Sequence, residues 1–140
     1  SRRNRSRWKS TVIVKRVQHV SIPIPMGGAD QVRGFYTGVL GIPEKRVPNE
    51  LDATRLTWFA VGDNEDEIHC FVDDDYENRS TAQHLCLEVD DIDGLRERVQ
   101  AAGVQIDETI AIHNRPRFFV RDPFGNQIEL TQINGKFDEE

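Results

Sequence analysis

Four side chains of ligand type recur at matching places in the two halves of this chain. His19 stands in Val17-Gln18-His19-Val20, and His84, at an offset of 65, in Ala82-Gln83-His84-Leu85. His69 stands in Ile68-His69-Cys70, and Glu129, at an offset of 60, in Ile128-Glu129-Leu130. The offsets differ only by a short insertion or deletion, so the chain reads as one unit performed twice. A duplicated unit that cannot close its own core pairs with its copy. On that reading His19, His69, His84 and Glu129 converge about a pseudo-twofold axis as a site for one divalent metal ion. Neutral imidazoles and a carboxylate bind Zn, Ni, Fe, Co or Mn, with geometry and availability choosing among them. A +2 ion with one carboxylate leaves a site that suits two adjacent substrate oxygens and a developing enediolate or catecholate. Glu129, the acid of the set, is the candidate catalytic residue: it holds the metal or lets go and shuttles a proton.

The elements that must position these residues follow from periodicity. Residues 17–24 read as a strand with Val20, Ile22 and Ile24 on one face. Residues 29–40 read as an amphipathic helix ended by Gly41, with Val32, Phe35, Tyr36, Val39 and Leu40 inward. Strands are predicted over 55–61 and 67–72, joined by the turn Gly62-Asp63-Asn64. After an acidic linker the scheme repeats. A strand spans 83–89, a helix 91–102 stopped by Gly103, a weak strand 104–109, a strand 117–121 and a last strand 127–133. Asp122-Pro123-Phe124-Gly125 supplies the tight turn before that last strand. The order predicts an α+β fold of two repeated βαβββ modules, 17–73 and 82–133, forming a cup-shaped mixed sheet around a central cleft. Alternation along a strand sends neighbours to opposite faces. By that parity the candidate ligands all lie opposite the apolar faces, a pattern that ordinary solvent-facing residues would also produce.

Composition sets the frame. At 140 residues the chain has the size of one domain, and 37% hydrophobic with 30% charged residues fits a globular protein. Two Cys, Cys70 and Cys86, argue against a disulfide framework and for a reducing, cytoplasmic setting. The net charge of −6 is uneven: residues 1–16 carry seven bases and no acid. The remaining body is acidic and should repel nucleic acid. The basic segment 1–16 reads as a flexible, solvated terminus, and 134–140 as a tail. No apolar run approaches a membrane span or the core of a secretory signal. The chain starts without Met, which fits processing or an artificial start.

Two further motifs carry a resemblance. Phe35-Tyr36-Thr37-Gly38-Val39-Leu40-Gly41 and Asp122-Pro123-Phe124-Gly125-Asn126-Gln127-Ile128-Glu129-Leu130 stand in order behind the His19 and His84 strands. Over roughly residues 17–133 the chain resembles the vicinal oxygen chelate superfamily. That group contains glyoxalase I, bleomycin- and fosfomycin-resistance proteins, methylmalonyl-CoA epimerase and extradiol dioxygenases. The resemblance implies the paired-module cup. It also implies that His19, His84 and Glu129 match the His, His, Glu metal ligands of several branches. His69 falls where glyoxalase I has a Glu ligand, which argues against lactoylglutathione lyase as the specific activity. It further implies a homodimer, C2 pairs being the commonest soluble assembly.

The implied function is a divalent-metal-dependent isomerase or lyase acting on a small substrate with vicinal oxygens. The alternatives are an Fe(II) extradiol-type dioxygenase and a non-catalytic drug- or metabolite-binding protein. Around the ligands, Phe71 and Trp58 are candidates to wall the pocket, Cys86 to line it beside His84, and Arg117 to reach an anionic substrate. Their plainer readings are packing for the aromatics, a small buried hydrophobe for Cys86 and a solvated strand end for Arg117. His113 reads as an exposed loop residue.

Overall fold

A computed structural model describes residues 13–139. Most of the basic segment 1–16 therefore lies outside the described residues. Module one contributes β1 (His19–Ile24), α1 (Ala29–Val32) running directly into a π-helical segment (Arg33–Val39), β2 (Glu44–Lys45), β3 (Leu56–Val61) and β4 (Asp66–Val72). Module two contributes β5 (His84–Glu88), α2 (Ile92–Ala101), β6 (Arg117–Arg121) and β7 (Gln127–Thr131). The class is α+β, as expected from the repeat. One sheet has the order β1-β4-β3-β2 and the other β5-β7-β6.

The register confirms the duplication. β1 runs parallel to β4, setting His19 opposite Glu67 and Ser21 opposite His69. β5 runs parallel to β7 in the same manner, setting His84 opposite Gln127 and Cys86 opposite Glu129. His19 and His84 thus occupy equivalent places on edge strands, and His69 and Glu129 equivalent places on central strands. Both modules bury one apolar face into a shared core. Ile22, Ile24, Phe59, Ile68 and Cys70 from the first sheet meet Phe118, Val120, Ile128 and Leu130 from the second, with Tyr36 and Val99 from the helical segments.

Three local features differ from the sequence expectation. The first helix is α-helical for only one turn and then widens, with Leu40 N–H donating to Phe35 O at 3.0 Å. The wider winding lets adjacent Phe35 and Tyr36 both enter the core. The short strand β2 was not expected; it pairs with β3 through Glu44↔Phe59 and Lys45↔Trp58. The weak strand expected over 104–109 is reduced to a bridge between Asp107 and Phe119. The segment has too few apolar alternations to continue the ladder. The second helix follows expectation: Asp91 caps it by accepting from Gly94 N–H at 3.0 Å.

The motif Asp122-Pro123-Phe124-Gly125-Asn126 joins the modules. The buried Asp122 carboxylate accepts from Tyr36 Oη at 2.8 Å, Phe124 N–H at 2.8 Å, Asn126 N–H at 3.0 Å and Asn126 Nδ2 at 2.9 Å. Tyr36 belongs to module one, so one carboxylate both shapes the β6–β7 turn and ties the halves together. Phe124 lies so close to Gly28 that a Cβ there would stand 2.7 Å from the ring. Only glycine permits that approach. Among the described residues no helix is long and apolar enough to cross a membrane.

Candidate functional site

The polar face of module one is built around His69. Its ring is stacked on Trp58, with centroids 3.6 Å apart and planes 3° apart. On the other side lies His19, at 4.0 Å and 20°. The stack follows from register, since Trp58 and Ser21 flank His69 on the two neighbouring strands. His69 Nε2 lies 2.8 Å from Glu67 Oε1, and Glu67 is bonded in turn by Lys45. Both Glu67 and His69 are buried. Burial alone would raise the Glu67 carboxyl, but hydrogen bonds from Lys45, His69 and Gln18 outweigh it and bring the group down to about 2. Burial holds His69 below the usual imidazole value, with the Glu67 hydrogen bond opposing. The lowered value favours the neutral form that a metal requires. Phe71 is half-buried on this same face of β4, opposite Pro23 and Leu56.

The polar face of module two is built around Glu129. Oε2 accepts from Thr131 Oγ1 at 2.7 Å and lies 3.4 Å from Arg117 Nη1. Oε1 lies 3.0 Å from His84 Nε2. Burial pushes the Glu129 carboxyl up, yet Thr131, Arg117 and His84 together hold it below the ordinary value. Arg117 also donates from Nη2 to Ile110 O at 3.0 Å. It is thus tied to Glu129 and to a loop rather than solvated at a strand end. Cys86 is exposed, not a buried hydrophobe, and its Sγ lies 3.4 Å from Thr131 Oγ1. His113 is exposed, as expected.

A proton count tests whether these residues suit a cation. His84 Nδ1 lies 2.9 Å from the Ala82 carbonyl oxygen. A carbonyl only accepts, so Nδ1 carries the proton and a neutral His84 presents a bare lone pair at Nε2. That lone pair faces the carboxylate oxygen Oε1 at 3.0 Å. Two acceptors in contact need a positive charge between them, either a second proton or a metal ion. Donor atoms sharing one ion at about 2.1 Å sit roughly this far apart, so the pair fits a metal.

The structure joins the candidate ligands two and two: His19 with His69, and His84 with Glu129. Among the described residues no group of three or more His, Cys, Asp or Glu converges to hold a metal. A cavity of about 480 Å³ opens between β1, β5 and the linker that joins the modules, lined by Ser21, Pro23, Tyr76, His84, Phe124 and Gln127. It reaches His84 but none of the other three. Sequence reasoning missed Glu67 and Lys45. Glu67 shares the parity of His69, two residues away on β4, and that was the available signal. Lys45 sits in the unexpected strand β2.

The family model of the glyoxalase/bleomycin resistance protein/dioxygenase superfamily matches residues 16–130. No curated protein matches the chain. Among solved structures, a protein assigned to the glyoxalase family from Bacillus anthracis is 30% identical with a TM-score of 0.80, covering 87% of this chain and 98% of its own. A lactoylglutathione lyase from Agrobacterium tumefaciens is 19% identical with a TM-score of 0.66, covering 86% and 95%. A fosfomycin resistance protein from Listeria monocytogenes is 15% identical with a TM-score of 0.66, covering 91% and 97%. The last two are similar in fold alone.

Proposed function

The chain belongs to the glyoxalase/bleomycin resistance protein/dioxygenase superfamily, and from that premise we propose that it is a divalent-metal-dependent isomerase or lyase acting on a small substrate with vicinal oxygens. The observation that carries the reading is the His84–Glu129 pair, whose facing acceptor atoms call for a cation between them. His84 and Glu129 would hold the ion, with His19 and His69 completing the set. When bound, the ion supplies a Lewis acid for two adjacent oxygens.

The remaining work belongs to the chain itself. Thr131 and Arg117 hold Glu129 Oε2, which fixes the carboxylate plane and leaves Oε1 as the working oxygen. Arg117 also supplies the positive charge that keeps Glu129 ionised. A proton taken from substrate would go to Oε1 once that oxygen has let go of the ion. Exposed Cys86 and half-buried Phe71 are the candidate substrate contacts on the two faces.

The two-and-two separation of the ligands supports a homodimer in which module one of one chain faces module two of its partner. The exposed polar face of β5, with His84, Cys86 and Glu88, is the surface such a partner would cover. Metal content and activity test the whole reading. The purified chain, reconstituted with Zn, Ni, Co, Mn or Fe(II), should bind one ion per chain and turn over an aldehyde–thiol adduct or a related substrate. Iron-dependent ring cleavage of a catechol would instead favour the dioxygenase. Tight ligand binding without metal would favour a sequestering protein.

Mixing tests the shared site. Chains carrying both His19→Ala and His69→Ala, and chains carrying Glu129→Gln, should each be inactive. A remixed equimolar sample should regain about a quarter of wild-type activity, since half of the C2 dimers would hold one intact site out of two. A site built within one chain would regain none.

A further inference from the structure

We propose that Glu67 is the positioning residue for His69, fixing its Nε2–H tautomer so that Nδ1 is the nitrogen offered to a metal or ligand. The proposal rests on the metal-site reading above for its functional meaning, and on geometry for its content. Three contacts define the His69 ring. Trp58 stacks on one side at 3.6 Å and 3°, and His19 on the other at 4.0 Å and 20°. This sandwich fixes the plane of the imidazole but not which edge points which way, because a half-turn about Cβ–Cγ keeps the plane. Glu67 decides the edge: its Oε1 lies 2.8 Å from Nε2.

The Glu67 carboxylate is bonded by Lys45, and Lys45 also lies 3.5 Å from Glu65. Facing Lys45, the carboxylate is an acceptor only, so the proton of the shared bond belongs to Nε2 of the imidazole. Nδ1 then carries the lone pair, and among the described residues it makes no hydrogen bond. Such a carboxylate behind a ligand imidazole sets the tautomer and raises the basicity of the open nitrogen. Lys45 balances the Glu67 charge, so Glu129 remains the one carboxylate available to the ion.

Module two solves the same problem in the opposite sense. Gln127 stands opposite His84 as Glu67 stands opposite His19, and its Oε1 is buried with no partner. There His84 Nδ1–H donates to the Ala82 carbonyl, and Nε2 is the nitrogen turned toward Glu129. The two modules thus offer opposite nitrogens.

Long-range 1H–15N spectra of the metal-free full chain, labelled at histidine nitrogen and recorded near pH 8, read the tautomers directly. His69 should show a protonated Nε2 and a bare Nδ1, whereas His84 should show a protonated Nδ1. Glu67→Ala should convert His69 to a tautomer mixture while the backbone amide spectrum stays folded; Lys45→Gln should leave the tautomer unchanged. Added zinc should move the Nδ1 signal of His69, and Glu67→Ala should weaken zinc binding about 10-fold or more. A protonated Nδ1 in the wild type, an unchanged tautomer in Glu67→Ala, or a zinc response at Nε2 would each overturn the proposal. Absence of any zinc response in the wild type would refute the metal reading instead, and the first spectrum would still decide the role of Glu67.

Discussion

Both modules place a histidine on an edge strand and a buried polar group beside it on the central strand, yet the two central positions differ in kind. In module one the central group is His69, clamped between rings and backed by the Glu67–Lys45 pair. In module two it is Glu129, backed by Thr131 and Arg117, with one oxygen left toward His84. Each central group has a cation close by, and each edge histidine is exposed. The duplication therefore conserves the positions and the charge pairing while exchanging the donor. On the proposed reading, module one would supply neutral nitrogen, and module two the charge and the atom able to move a proton.

The sharpest way to break this division is to exchange the donors. Glu129→Gln should lower turnover at least about 100-fold, as expected for losing a general base, and should weaken the metal as well. His69→Gln should lower metal affinity with a smaller loss of rate, since two imidazoles and the carboxylate remain. Metal occupancy and kcat at saturating metal, measured for both variants, decide it. Equal inactivity with full occupancy would move the proton-transfer role to module one.

A second large effect concerns the joint between the modules. Asp122→Ala removes the acceptor for a buried tyrosine hydroxyl and for three donors of its own turn. Leaving such donors unpaired should cost about 3 kcal/mol, read as a lower denaturant midpoint with an unchanged slope. Asp122→Asn, which keeps one acceptor oxygen, should lose less. If Asp122→Ala left the midpoint in place, the motif would have to act at the site and not at the joint.

These contrasts show where sequence reading works and where it stops. The six longer strands, the duplication and the facing of His69 and Glu129 were legible because strand parity is a local property with a period of two residues. The π-helical winding at Phe35-Tyr36 was not, since it answers a demand of the shared core for two adjacent aromatics. The role of Glu67 was half legible: its parity matched His69, but its cation comes from Lys45 on a two-residue strand with no pattern of its own. The separation of the ligands into two pairs depends on how the sheets pack, and no spacing along the chain encodes that.

Acid sharpens the comparison within module one. The Glu67 carboxyl is brought down to about 2 from an ordinary 4.5. A carboxyl depressed in the folded state adds stability that is fully present above the unfolded value and is lost as pH falls through the folded one. The loss should therefore run from about pH 4.5 down to about 2. Glu67→Gln should make the acid limb of the stability profile shallower in that window and leave its slope above pH 5 unchanged. An identical acid limb in the variant would mean that the Lys45 pairing contributes nothing to the fold.

The smallest expected effect separates the two thiols, one from each module. Cys70 points into the shared core with no exposed surface, and burial, with the Asp122 charge adding to it, pushes its thiol up to about 12. Cys86 lies exposed on the polar face of β5; its thiol is raised as well, chiefly by partial burial, with Thr131 opposing. Since the thiolate is the reactive form, a disulfide reagent near pH 8 should label one thiol of the native chain slowly and the second only after denaturant is added. Peptide mapping should place the first label at Cys86. Metal and substrate should slow that label further if β5 faces the site, and should leave it unchanged if the face is open. Labelling of both thiols at equal rates in the native chain would show that the core of module one opens as readily as the edge of module two, and the contrast between the two faces would fail.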